Sequence, residues 1–305
     1  MKCNMCPRAC NVDRNVNTGF CGMTNDIYAA RAALHMWEEP CISGEHGSGA
    51  VFFSGCTLRC IFCQNSEIAA AQVGKKITVE RLSDIFLELQ DKCANNINLV
   101  TATHFVPQVA EALVKAKNKG LVIPVVYNSS AYENVSTLNM LDGLVDVYLP
   151  DMKYIDSRLS AEYSKAPDYA DVAKAAIQEM VRQTGKPEFF TDDDELVKSG
   201  SVEAGIMKKG VIVRHLVLPG TTKDSKAVIK YLLDTYADEI YISIMSQYTP
   251  FERLKKHPLL SRKVTRKEYN SVVDYAIDCG INNGFIQEGD VAEESFIPEF
   301  DYEGI

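Results

Sequence analysis

Six short apolar runs punctuate the chain from residue 50 onward: 50–54, 98–102, 122–127, 145–149, 211–218 and 240–245. Each is rich in β-branched residues and bounded by turn residues, the pattern of strands buried on both faces. Amphipathic stretches between them predict helices over 78–93, 107–119, 136–143, 157–184, 223–237 and 265–279. Thr78, with Arg81 and Leu82 behind it, opens the first helix, Gly120 stops the second, and Pro167 is the place for the long fourth one to break. Six β–α alternations call for a parallel sheet with right-handed crossovers. They are too few for a closed eight-stranded barrel, so the expected fold class is α/β, either an open partial barrel or a doubly wound sheet. In both, chemistry belongs at the C-terminal ends of the strands.

Residues 1–45 break this rhythm. They are rich in Cys, Asn and Gly and show no period, which predicts a loop-dominated segment organised by metal. Residues 187–209, with four consecutive acids at 192–195, predict an exposed loop or hairpin with a solvated tip. The expected organisation is a Cys-rich metal-binding segment over 1–45, the barrel over 46–290, and an acidic tail over 291–305 packed on the barrel.

Composition narrows the function. Of 305 residues, 46% are hydrophobic and 24% charged, enough for a substantial core. The net charge is −9, and seven of the excess acids follow Asn282. The basic footprint of a nucleic-acid or anionic-membrane binder is missing. There is no apolar run of about eighteen residues and no apolar leader at the N-terminus, so a cytoplasmic, reduced protein is expected. In that setting the ten cysteines read as metal ligands rather than disulfides.

Seven of the ten fall into two sets. Cys56, Cys60 and Cys63 form a C-x3-C-x2-C array directly after the first predicted strand. Three thiolates in one tight loop suit a [4Fe–4S] cube with one iron left open, whereas a structural zinc normally closes with a fourth ligand. Cys3, Cys6, Cys10 and Cys21 form a quartet that completes either a zinc site or a second [4Fe–4S] cluster; the spacing serves both. Cys41, Cys93 and Cys279 have no spaced partners and are expected to be buried small hydrophobes. Arg214, a lone cation in a predicted buried strand, needs a partner or a ligand.

The loop from Phe52 to Asn65, with Phe62 preceding Cys63, resembles the hallmark of radical SAM enzymes. Glu38-Glu39-Pro40 and Gly47-Ser48-Gly49 leading into it, with Gln64-Asn65 after it, resemble the pyruvate formate-lyase activating enzyme-like branch. The resemblance spans roughly residues 35–300 and selects the partial (β/α)6 TIM-like barrel. It implies an oxidoreductase in which a [4Fe–4S] cluster held by Cys56, Cys60 and Cys63 binds S-adenosylmethionine. Reductive cleavage would give a 5′-deoxyadenosyl radical that abstracts hydrogen from a substrate. Where relatives carry Gly-Gly-Glu, this chain has Thr101-Ala102-Thr103, so Thr101 and Thr103 are assigned to the methionine amino group. Asn128 and Ser129 fall near the ribose and amino-acid part, and Phe62 belongs to the cofactor-binding loop. Asp151-Met152-Lys153 resembles the Asp-x-Lys of glycyl-radical activating enzymes; both charged residues would face the barrel mouth and orient the cofactor, with Arg214 beside them. The implied partners are a protein or peptide substrate, a glycyl-radical enzyme in the leading case, and a reductant such as flavodoxin or ferredoxin. A peptide or small-molecule maturase using an auxiliary metal site is the second reading. A non-catalytic iron–sulfur carrier or zinc-organised adaptor is the rival of another class.

Overall fold

The apolar runs become the centre of a single sheet. The computed structural model describes residues 2–287 and 298–305. Its strands are β1 (Ile27–His35), β2 (Ser48–Phe53), β3 (Lys75–Ile77), β4 (Ile97–Val100), β5 (Val125–Ser129), β6 (Val147–Pro150), β7 (Glu188–Phe189), β8 (Met207–Leu216), β9 (Tyr241–Met245) and β10 (Gly284–Ile286). The helices are α1 (Pro40–Ser43), α2 (Ser66–Ala69), α3 (Val79–Asp91), α4 (Val106–Asn118), α5 (Val135–Leu138), α6 (Ser157–Ser164), α7 (Tyr169–Thr184), α8 (Glu195–Lys198), α9 (Thr222–Tyr236) and α10 (Arg266–Asp278).

The order across the sheet is β10-β9-β8-β6-β5-β4-β2-β1-β3, with β7 paired to β8. From β2 to β10 every pairing along this path is parallel, while β1 and β3 add an antiparallel edge. The two ends of the path are unpaired among the described residues, so the fold is mixed α/β with an open, mostly parallel sheet, a partial barrel. All residues of β2, β4, β5 and β6 are buried.

The predicted helices form where their local signals place them. The Thr78 hydroxyl accepts the Arg81 N–H and caps α3. The long fourth helix does break, into α6 and α7, through the left-handed Lys165 just before Pro167. The 136–143 stretch shortens to α5 and a 3-10 turn over Asn139–Leu141. Residues 188–209 form a hairpin of β7 against β8.

Residues 1–45 are mostly loop, with β1, whose nine residues pair with both β2 and β3, and the four-residue α1 as their regular elements. One expectation needs correction. Cys93 and Cys279 are exposed, and only Cys41 of the three unpartnered cysteines is buried. Each exposed one follows a helix end, Cys93 at a positive φ after α3 and Cys279 at the C-cap of α10, so neither faces a packed surface.

α1 closes the bottom of the barrel. Its Cys41 and Ile42 pack against Val126, Val147, Leu149, Met207 and Ile212 from three strands, β5, β6 and β8. Residues 291–297 of the expected acidic tail lie outside the described residues. Residues 298–305 run along β1, with Tyr302 N–H donating to Ala30 and Ala32 N–H donating to Glu303.

Candidate active site at the strand ends

The cysteine loop starts at a turn that only glycine tolerates. Gly55 has φ +87°, and a Cβ there would lie 2.7 Å from the Cys21 carbonyl oxygen. Leu58 is fully buried and anchors the loop. The Phe62 ring stands edge-on to Tyr154, Tyr163 and Tyr248 at 6.3–6.5 Å. The Ser164 hydroxyl donates to Cys60 Sγ at 2.9 Å, and Arg253 donates to the carbonyls of Ile61 and Cys63. Burial pushes the Cys60 thiol up and the Cys63 thiol up to about 12, the latter reinforced by the neighbouring thiols. A metal must therefore displace protons to bind.

These thiols border a cavity of about 220 Å³ at the C-terminal ends of the parallel strands. That is far more than a packing void, since one water needs about 10–15 Å³ of such space. Cys56, Cys60, Cys63 and Phe62 line one side; Thr101, Asn128, Ser129, Asp151, Lys153 and Arg214 line it from β4 through β8. Thr103 is not brought there. It is buried behind the wall and donates to Glu133 Oε1 at 2.7 Å. Burial in turn pushes the Glu133 carboxyl up to about 7. His104 is likewise structural, bonded through Nε2 to the Ser54 carbonyl at 2.7 Å and lowered by burial to about 3.

The cavity floor is a closed network of charge. Asp151 receives Lys153 Nζ at 2.6 Å on one oxygen and Arg214 Nε at 3.0 Å on the other. Burial alone would raise the Asp151 carboxyl, but Lys153 and Arg214 outweigh it and hold it below its ordinary value. Burial opposes the charge on Lys153 too, and Asp151 again wins, raising it. Arg214 also reaches Glu38 Oε2 at 3.0 Å and Asn128 Oδ1 at 2.6 Å. Asn98 and Asn128 donate their amides to the other Glu38 oxygen.

Glu38 was not singled out from the sequence as a site residue. It reaches the cavity because α1 turns back into the barrel immediately after it. The available signal was two adjacent acids before Pro40, in a segment otherwise bound for the interior. Neighbouring Glu39 is buried against the same cation, and burial raises its carboxyl. Trp37 stands at the cavity's edge, largely exposed.

The donor set fits a cluster better than a single ion. Among the described residues no three Cys, His, Asp or Glu side chains stand close enough to share one ion. A four-iron cube is wider than an ion, and its ligands stand correspondingly farther apart. No fourth cysteine lines the cavity. Cys56, Cys60 and Cys63 would hold such a cube, and the same cavity is lined by Asp151, Lys153, Arg214 and Glu38, which carry both signs of charge that an amino acid carries. No helix among the described residues is long and apolar enough to cross a membrane.

Comparison with known proteins agrees with this geometry. Residues 50–192 match the profile of the Radical SAM superfamily. Over 281 residues the chain is 27% identical to an uncharacterised protein of Methanocaldococcus jannaschii, covering 90% of this chain and 74% of that one. Its fold is similar to methylornithine synthase (PylB), with a TM-score of 0.51 at 12% identity, covering 81% of this chain and 75% of that one. Streptococcus suis SuiB, solved with its precursor peptide SuiA, aligns at a TM-score of 0.49 and 14% identity over 77% of this chain; the chain spans about half of SuiB's length, 46%. The matched segment, residues 50–192, is the part of the chain that resembles the radical SAM superfamily, whose members use a [4Fe–4S] cluster and S-adenosylmethionine.

Proposed function

We propose that the chain is a radical SAM enzyme abstracting hydrogen from a polypeptide substrate, with its cluster on Cys56, Cys60 and Cys63. The observation that carries this reading is the opening of those three thiols and the Asp151–Lys153–Arg214–Glu38 network into one cavity. Cluster and S-adenosylmethionine together supply one-electron reductive cleavage and hydrogen abstraction. The protein's work is to hold and orient. Lys153 and Arg214 present cations to a cofactor carboxylate, and Glu38 and Asp151 present acceptors to an ammonium group. Asn128 and Ser129 add polar contacts on the next strand. Phe62 and its three tyrosines fix the cysteine loop, and the buried walls keep water from the reacting atoms. A polypeptide rather than a small metabolite is favoured by the cavity's edge, where Trp37, Phe251 and Pro298 give an apolar rim. A glycyl-radical enzyme is the substrate to try first; a shorter peptide is the second.

The test is direct. Cys56, Cys60 or Cys63 changed to Ala should abolish release of 5′-deoxyadenosine from the reduced, reconstituted protein. Release at the parental rate from any of the three would overturn the assignment.

A further inference from the structure

The second cysteine set lies outside the cavity, behind the loop that carries the first. Tight backbone turns shape it: Cys3 N–H bonds Val12, Asn11 N–H bonds Cys3, Ala9 N–H bonds Cys6, and Gly22 N–H bonds Gly19. Phe20 N–H points at Cys10 Sγ at 3.2 Å. The thiols of Cys10 and Cys21 flank Gly19, where an added Cβ would meet them at 3.6 and 3.5 Å. Cys6 and Cys21 are buried, Cys3 and Cys10 half-buried. Four thiols thus gather in one small knuckle whose apolar content is too slight to fold it unaided.

The knuckle is fastened to the cluster loop. Arg8, between Cys6 and Cys10, donates Nε to the Thr57 carbonyl at 2.8 Å and its remaining nitrogens to the carbonyls of Ser164 and Lys165. Thr57 follows Cys56, and Ser164 is the residue whose hydroxyl holds Cys60 Sγ. The Arg8 guanidinium lies over the Phe20 ring at 4.1 Å, inside the knuckle, and over Tyr132 of the barrel at 5.0 Å. The Cys21 carbonyl presses on Gly55, the residue before Cys56. Asn134 and Thr137 donate to the carbonyls of Asn4 and Met5.

We propose that Cys3, Cys6, Cys10 and Cys21 form a second thiolate metal centre, and that Arg8 ties it to the loop holding Cys56, Cys60 and Cys63. This rests on the reading that the latter three hold the catalytic cluster. No three of these side chains stand close enough to share one ion, so the ligation that fits their spacing is that of a [4Fe–4S] cluster, which is wider than an ion. Arg8 is a positioning residue: filling the quartet fixes the turn on which its guanidinium rides, and the guanidinium sets the carbonyls beside Cys56 and Cys60.

The full-length chain, reconstituted anaerobically with zinc in one arm and with iron and sulfide in the other, tests both halves. The Cys56/Cys60/Cys63→Ala variant should keep iron with matching sulfide, and lose both when Cys6 and Cys21 are also changed to Ala; zinc retained in place of iron and sulfide would overturn the cluster. A triple variant that is folded by circular dichroism and binds neither metal overturns the centre. So does parental protein holding the metal of one cluster and nothing more. Neither result touches the radical SAM reading, which stands or falls on iron at the first set and 5′-deoxyadenosine release. For the tie, Arg8→Met should leave both metal counts unchanged, alter the electron paramagnetic resonance signal of the reduced cluster with S-adenosylmethionine, and lower kcat about tenfold. Arg8→Lys should restore part of it. A parental signal and kcat in Arg8→Met would overturn the tie.

Discussion

Arg214 serves two carboxyl groups at once, and its removal is not equivalent to that of Lys153. The side chains of Arg214, Glu38, Asp151 and Lys153 are each less than one-fifth exposed, so solvent screens them little. Arg214→Met would leave Glu38 without its ion pair and Asp151 with one cation. Breaking a buried pair from one side costs about 3–5 kcal/mol, and a loss of that size should be read in denaturant unfolding. Lys153→Met leaves Asp151 still bonded to Arg214, so its stability cost should be clearly smaller. Its effect belongs to the ligand. A charge-assisted bond to the methionine carboxylate contributes roughly 1.5–3 kcal/mol, or a ten- to hundredfold change in affinity for S-adenosylmethionine. Measuring both quantities on both variants separates bracing from binding. An unchanged dissociation constant for Lys153→Met, with a lower melting point, would assign that lysine to the fold alone.

Among the elements, the turn between β2 and the cysteine loop sets the most. Gly55→Ala puts a side chain into left-handed backbone, costing about 1–2 kcal/mol, and drives it against the Cys21 carbonyl, which is main chain and cannot swing away. The variant should lose thermal stability and iron together; parental iron content would show that the loop accommodates the methyl elsewhere. The central strands and long helices were legible because burial on two faces and on one stripe leave different periods in the sequence. Thr78 and the 165–168 break were legible because caps and prolines act locally. β1 was not. Its sequence, IYAARAALH, holds four alanines in nine residues, alanine being a weak strand former, and it is a strand because β2 and β3 bond it on both sides. The cysteines announced themselves by spacing, and Arg214 by its charge among buried neighbours. Glu38 did not, because its place depends on a four-residue helix plugging the barrel. Thr103 was expected in the cavity from its position after β4, and a 3-10 turn over Thr103–Phe105 rotates it toward Glu133 instead.

For the molecule as a whole, the open sheet leaves an edge to be covered. β3 pairs with β1 over Ile27–Ala29, and the segment 298–305 takes over from there. Phe300 stands edge-on to Phe52 at 5.6 Å, Arg31 meets Asp301 and Glu303, and Arg81 bonds the Gly304 carbonyl. The ion pairs are partly exposed and contribute little; the backbone bonds and Phe300 matter more. Ending the chain after residue 297 should uncover the β1 edge and favour strand-to-strand association. Sedimentation should then show dimers or larger species at concentrations where the full chain is a single species. Truncated protein that sediments as the full chain does would mean that the edge is guarded by something other than this segment.

The Arg8 contacts also order events in time. They join residues 156 and 157 positions apart, so during synthesis the seat for the first cysteines does not exist until Lys165 has been made. At roughly 5–20 residues per second that is a wait of about 10–30 s. Through it, the thiols of Cys3, Cys6, Cys10 and Cys21 are exposed to oxidation and to any thiophilic ion at hand. On the proposal that these four hold a metal, whatever loads them must arrive after the barrel's first four strands have closed around their core, or must guard the nascent thiols until they do.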